Sequence, residues 1–79
     1  MKLSIYSITK TLFEGQVISA TLPTSLGEMT VLDPHLPLVS SLSSGEVRFV
    51  RLDGSPDSVA ISGGILEIRP ESEVVVLVQ

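Results

Sequence analysis

The sequence predicts an all-β domain, a small two-sheet β-sandwich (flattened barrel) of about eight to ten short strands. β-Branched and aromatic residues occur in short runs, and Gly, Pro, Asp and Ser separate those runs. This spacing is typical of sandwiches and barrels. Almost nothing in the chain has the spacing of an amphipathic helix. Because no internal repeat, low-complexity tract or linker divides the sequence, residues 1–79 are predicted to form one domain.

The first half of the chain contains four predicted strands: Lys2–Ile8, Gln16–Leu22, Glu28–Leu32 and Leu38–Leu42. Along the second of these, two sets of side chains alternate, Ile18, Ala20 and Leu22 with Val17, Ser19 and Thr21. Alternation of this kind indicates one buried face and one wetter face. The segment Pro23–Gly27 is predicted to be a turn, in which Gly27 can adopt a positive φ.

The second half contains the predicted strands Glu46–Leu52, Val59–Ile61, Ile65–Arg69 and Glu73–Val78. A hairpin loop is predicted over Asp53–Asp57, which combines Gly, Pro and Asp. Ser62-Gly63-Gly64 is predicted to form a tight bend or bulge, where glycine removes the steric cost. The continuous apolar run in the last strand is typical of a strand that is covered on both faces.

Composition favours a small subunit over a nucleic-acid binder. A domain of this size buries only about 60% of its unfolded surface, while 43% of the residues are hydrophobic and 18% are charged. An apolar outer patch docked on another subunit would fit these values. The net charge of −4 argues against nucleic acid and against anionic lipid. With no cysteine, no signal peptide and no apolar run long enough to span a bilayer, the chain is expected to be cytosolic, without direct membrane insertion.

The residues give little support to catalysis. His35 is the single histidine, and only Asp33 is close to it in sequence, so no set of partners for a base or a metal is visible. The serines lack a Gly-x-Ser-x-Gly arrangement, and no phosphate-binding glycine motif is present. We therefore expect no catalytic, cofactor-binding or metal-binding residue. His35 is expected to cap a turn or to contact a partner.

Three segments in order carry a resemblance to a known family: Thr11–Val17, Leu22–Leu38 with its pattern Leu-Pro-x-x-x-Gly-Glu-x-x-Val-Leu-x-x-His-x-Pro-Leu, and Ser62–Ile68 with Ser-Gly-Gly-Ile-Leu-Glu-Ile. The chain resembles the N-terminal β-sandwich domain of the epsilon subunit of F-type ATP synthases, and order and spacing hold from Lys2 to Leu77. Departures occur at Thr24 and Thr30, where the family commonly has glycine, and at Asp33-Pro34, where it commonly has Pro-Gly.

The resemblance implies a non-catalytic subunit of the rotating central stalk. Its partners would be the gamma subunit and the polar loops of the c-ring, and it would couple ion-driven rotation to ATP synthesis on the cytoplasmic face of the inner (plasma) membrane, as a peripheral component. By position, the turn residues Thr24, Ser25, Leu26, Gly27 and Glu28 would contact the c-ring. The residues His35, Leu36, Pro37 and Leu38 would contact gamma. From the residues alone, a solvated turn and a core-facing loop are the alternatives.

Members of this family usually continue into a C-terminal α-helical hairpin. We expect a naturally short chain without these inhibitory helices, because the last predicted strand ends at Val78 and no helix-start signal follows. Two other functions stay open at this point. One is a free-standing β-sandwich adaptor in another assembly, and the other is an enzyme that uses His35 with a serine and therefore needs a deep pocket around this histidine.

Overall fold

The computed structural model describes residues 1–34 and 36–79, and within these ranges it contains eight β-strands and no helix. The strands are β1 (Lys2–Tyr6), β2 (Thr11–Thr24), β3 (Gly27–Val31), β4 (Leu38–Leu42), β5 (Gly45–Arg51), β6 (Pro56–Ile61), β7 (Gly64–Arg69) and β8 (Glu73–Val78). The all-β prediction and the approximate number of strands are confirmed. Among these residues no helix has the length and apolar character that a bilayer span requires.

The long strand β2 organises the two layers. Its first half pairs with β1, while its second half lies between β3 and β5. Strands β1, β8, β7, β4 and β2 form a closed path of pairings, because β1 contacts both β8 and β2. Strands β5 and β6 extend the sheet on the other side of β2. One strand therefore belongs to both layers of a flattened barrel, as in a β-sandwich.

A β-bulge in β2 changes which side chains are buried. Pairing with β5 shifts in register between Val17 and Ser19, so Ile18 is an extra residue. As a result Val17 is buried and Ile18 is 49% exposed. The predicted alternation is confirmed at Ala20 and Leu22, which are buried, and is wrong at Ile18. The period-two pattern cannot anticipate the bulge, because it arises in pairing with a distant strand.

The core fills the space between the layers. Fully buried side chains include Leu3, Ile5, Leu22, Leu66 and Val76. The run from Val74 to Val76 is buried on both faces, as its unbroken apolar sequence predicts, but Leu77 is 51% exposed. Coverage of the outer face of β8 therefore ends before the end of the strand.

The predicted bend at Ser62-Gly63-Gly64 is confirmed. Gly63 and Gly64 have φ values of +142° and +156°. A Cβ on Gly64 would collide with the carbonyl oxygen of Leu77 and would also lie 3.1 Å from the Cα of Val78. The backbones of β7 and β8 approach too closely here for any side chain, so the position requires glycine.

Candidate functional site

The turn between β2 and β3 is one of the two predicted contact regions. Thr24 and Gly27 pair across the hairpin, and Ser25 and Leu26 form its tip. Gly27 has a φ of +120°, as the turn prediction requires. The hydroxyl of the buried Thr24 donates to the carbonyl oxygen of Gly27 at 2.6 Å and accepts from the backbone N–H of Leu26 at 3.2 Å. One side chain thereby satisfies two backbone groups of the turn.

Two serines near the end of β4 attach this turn to the rest of the domain. The backbone N–H of Ser25 donates to the carbonyl oxygen of Ser41 at 3.1 Å, and the Ser41 hydroxyl donates to that of Ser25 at 3.2 Å. The backbone N–H of Ser43 donates to the carbonyl oxygen of Pro23 at 2.8 Å, and its hydroxyl donates to the same oxygen at 3.1 Å. These hydrogen bonds therefore fix the position of the turn relative to the end of β4. Sequence reasoning did not assign Ser41 and Ser43 to the site, because they lie far from the turn in sequence.

The tip presents an apolar side chain, and its neighbouring charge is paired. Leu26 is 97% exposed. The carboxylate of Glu28 accepts a hydrogen bond from the Arg48 guanidinium at 2.8 Å, and both side chains are about half exposed. Such a surface ion pair contributes about 0–1 kcal/mol to stability. The turn thus carries an exposed leucine and a glutamate whose charge is paired with Arg48 of the same domain.

The second predicted region precedes β4. Leu36 is 79% exposed, Pro37 is exposed and Leu38, the first residue of β4, is 41% exposed. His35 lies outside the described residues. The described part of the segment is therefore a surface and not a core-facing loop.

Strand β4 separates the two regions. Leu38 begins the strand, whereas Leu42 at its end pairs with Thr24 beside the turn. Four residues of extended chain span about 13 Å. The structure consequently keeps the two regions at different ends of one strand and does not bring them together.

The outer face of β4, β7 and β8 carries exposed apolar side chains that sequence reasoning did not name individually. Val39, Ile65 and Leu77 are each at least half exposed, and Ile65 and Leu77 are paired across β7 and β8. The apolar composition predicted a patch of this kind but not its position. The face is assembled from three strands, so no local pattern identifies it.

Charged groups elsewhere form local pairs. The Arg51 guanidinium donates to Asp57, and this hydrogen bond lowers the pKa of the carboxyl below its ordinary value. Within the described ranges, no cluster of three or more His, Cys, Asp or Glu side chains has an arrangement that could hold a metal ion. An open depression is lined by Thr21, Arg48, Pro56 and Ser58, among others, on the face of β2, β5 and β6. His35, around which an enzyme would need a deep pocket, lies outside the described residues, so that alternative is not tested.

Replacement of Thr24 by alanine is expected to loosen the turn. The substitution removes both hydrogen bonds of the Thr24 hydroxyl, so the free energy of unfolding should fall by about 1–2 kcal/mol. Chemical denaturation would measure this change, and hydrogen exchange at the Leu26 amide should accelerate. Thr24→Ser is the matched control, because it keeps the hydroxyl. Equal losses in both variants would contradict the role assigned to the hydrogen bonds.

The described residues thus form a small closed β-sandwich with two exposed segments. Residues 1–79 match the family described as ATP synthase, Delta/Epsilon chain, beta-sandwich domain. The chain therefore belongs to this family. This membership removes the alternative in which an unrelated adaptor shares the turn pattern by chance.

Curated relatives are similar along most of this chain. It is 36% identical over 70 residues to the ATP synthase epsilon chain of Bordetella petrii, and 37% identical over 70 residues to that of Nitrosococcus oceani. In both comparisons 89% of this chain and 50% of the relative are covered. The chain thus spans about half the length of these relatives.

Solved ATP synthases contain the same fold. A chain of the Euglena gracilis mitochondrial ATP synthase, solved with OSCP, F1 and the c-ring, gives a TM-score of 0.88 at 26% identity, with 96% of this chain and 48% of that chain covered. A chain from the central stalk and c-ring of the Tetrahymena thermophila mitochondrial enzyme gives a TM-score of 0.77 at 12% identity, covering 99% and 62%. The second likeness shows the fold alone.

Proposed function

We propose that this chain acts as the epsilon subunit of an F-type ATP synthase, in the central stalk of the rotor. The observation that carries the proposal is the family match along all 79 residues. The close similarity to a chain of the Euglena synthase supports it. In this role the domain is non-catalytic. It transmits torque between the c-ring and the gamma subunit, as a peripheral component on the cytoplasmic face of the membrane.

The proposed gamma surface is the segment from His35 to Leu38, and the proposed c-ring surface is the turn from Thr24 to Glu28. Exposure of Leu36 and Leu38 supports the first assignment, because a partner that covers them would remove apolar area from water. Bracing of the turn by Ser41 and Ser43 supports the second, since a mechanical contact needs a rigid projection. Their separation along β4 allows both partners to bind at once.

Copurification with the cognate gamma subunit tests the proposal. The wild-type chain should form a one-to-one complex. The double variant Leu36→Asp/Leu38→Asp should bind about 100-fold more weakly, because it loses the burial of two leucine side chains and places two carboxylates in the interface. Leu52→Asp is the matched control, since Leu52 is exposed in the loop between β5 and β6. It should bind like the wild type.

The possible failures are distinguishable. Absence of binding by a folded wild-type chain would refute the proposed function. Equal binding by the wild type and the double variant would leave the subunit assignment intact and refute the gamma surface. Circular dichroism and thermal melts of every variant would verify that each chain is folded.

A further inference from the structure

Among the strands that the structure describes, β3 and β6 have a neighbour on one side only. Within residues 1–34 and 36–79, β3 pairs with β2 alone and β6 pairs with β5 alone. Each strand therefore has a free edge, along which backbone N–H and C=O groups are available to another chain. The two edges differ in whether their own residues block such pairing.

The edge of β6 is blocked. Pro56, its first residue, has no backbone N–H. Two residues further along, the N–H of Ser58 has the same direction in the ladder, and it donates to the carboxylate of Asp57 at 2.8 Å. Proline and charged side chains are usual means of preventing edge-to-edge pairing. A partner strand would find few free groups on this edge.

The edge of β3 has no such block. Glu28 is paired with Pro23, and because proline has no N–H, these two residues cannot exchange both ladder hydrogen bonds. The N–H and C=O groups of Glu28 therefore point away from β2, and the alternation along a strand gives those of Thr30 the same direction. The Pro23 carbonyl oxygen accepts from the N–H of Ser43, on the side of β2 opposite to β3, which agrees with this assignment.

The free edge of β3 is continuous with the proposed gamma surface. Strand β3 ends at Val31, and only Leu32, Asp33 and Pro34 separate it from His35. Leu32 is 67% exposed. Met29 in the middle of β3 is only partly buried against the core, so a strand beside it would cover more of its side chain. Backbone groups and apolar surface thus occur together at this edge.

We propose that an extended segment of the gamma subunit adds a strand to the free edge of β3. The inference rests on the proposed function, which assigns the segment from His35 to Leu38 to gamma, and it specifies how the neighbouring strand takes part. Main-chain hydrogen bonds to Glu28 and Thr30 hold the gamma segment, and apolar residues at its alternate positions cover Met29.

The variant Thr30→Pro tests this pairing, because it removes an outward N–H and places a proline ring on the edge. It should fold, since proline is tolerated in an edge strand where the N–H faces solvent. It should bind gamma about tenfold more weakly, through loss of a main-chain hydrogen bond. Two controls should bind like the wild type. Thr30→Val keeps the N–H and removes only the hydroxyl, which lies 3.0 Å from that of Thr21, and Ser58→Pro places a proline on the edge of β6.

Hydrogen exchange of the wild-type chain tests the same contact without a substitution. The amides of Glu28 and Thr30 should exchange at least about tenfold more slowly in the gamma complex than in the free chain. Unchanged exchange at both amides, or equally tight binding by a folded Thr30→Pro variant, would refute strand addition and leave the proposed function intact. Protection that appears in the free chain as its concentration rises would assign the edge to a second copy instead. Absence of any complex with the folded wild type would refute the proposed function and the inference with it.

Discussion

The variant Gly64→Ala is expected to lose a large part of its free energy of unfolding. Its Cβ would overlap the carbonyl oxygen of Leu77, and backbone atoms of Leu77 and Val78 lie within 3.1 Å of the same point. A strand backbone cannot move aside as a side chain can, so β7 and β8 would have to separate. We expect a loss of at least about 4 kcal/mol, in the range of the most destabilising single substitutions. A domain of this length has a total stability of about 4–12 kcal/mol.

Chemical denaturation and the dispersion of amide NMR resonances would measure the effect. Gly54→Ala is the matched control, because Gly54 also has a positive φ, +89°, but has no neighbouring atom within 4 Å of the added Cβ. Its free energy of unfolding should fall by only about 1–2 kcal/mol, which is the cost of placing a residue with a Cβ in the left-handed region. Similar losses in the two variants would mean that conformational strain, and not the collision with β8, sets the requirement for glycine at residue 64.

Local sequence signals predict the fold well where a strand is bounded by turn residues. Strands β4 and β8 have the predicted bounds, because Pro37 and Ser43 flank the first and Pro70–Ser72 precede the second. Strand β2 is longer than predicted and begins at Thr11. Its extension through Gly15 and its bulge at Ile18 depend on pairing with β1 and β5, which the local sequence does not encode.

The candidate site also has features that the local sequence predicts and features that depend on distant residues. The presence of the turn and the positive φ of Gly27 follow from its own residues. The features that determine what the turn can do are long-range, since Ser41, Ser43 and Arg48 come from β4, β5 and the connection between them. The Glu28 carboxylate pairs with Arg48, twenty residues away, so its charge already has a partner within the domain. Only the assembled sheet shows this.

Leu66→Ala should cause the second large loss of stability. Leu66 is fully buried in β7 and paired with Val76 of β8. Removing its buried methyl groups should leave a cavity and lower the free energy of unfolding by about 2–5 kcal/mol. Urea denaturation at constant pH would measure the difference. No change in the slope of the transition is expected, because the area exposed on unfolding is nearly the same.

Leu77→Ala is the matched control, because Leu77 lies on the adjacent strand with its side chain on the outer face, 51% exposed. It should cost less than about 1 kcal/mol, since much of the side chain is already in contact with water. A loss as large as that of Leu66→Ala would mean that the outer face of β7 and β8 is part of the core. A small loss would leave this face free to be covered by a partner, and substitutions there would then affect assembly and not folding.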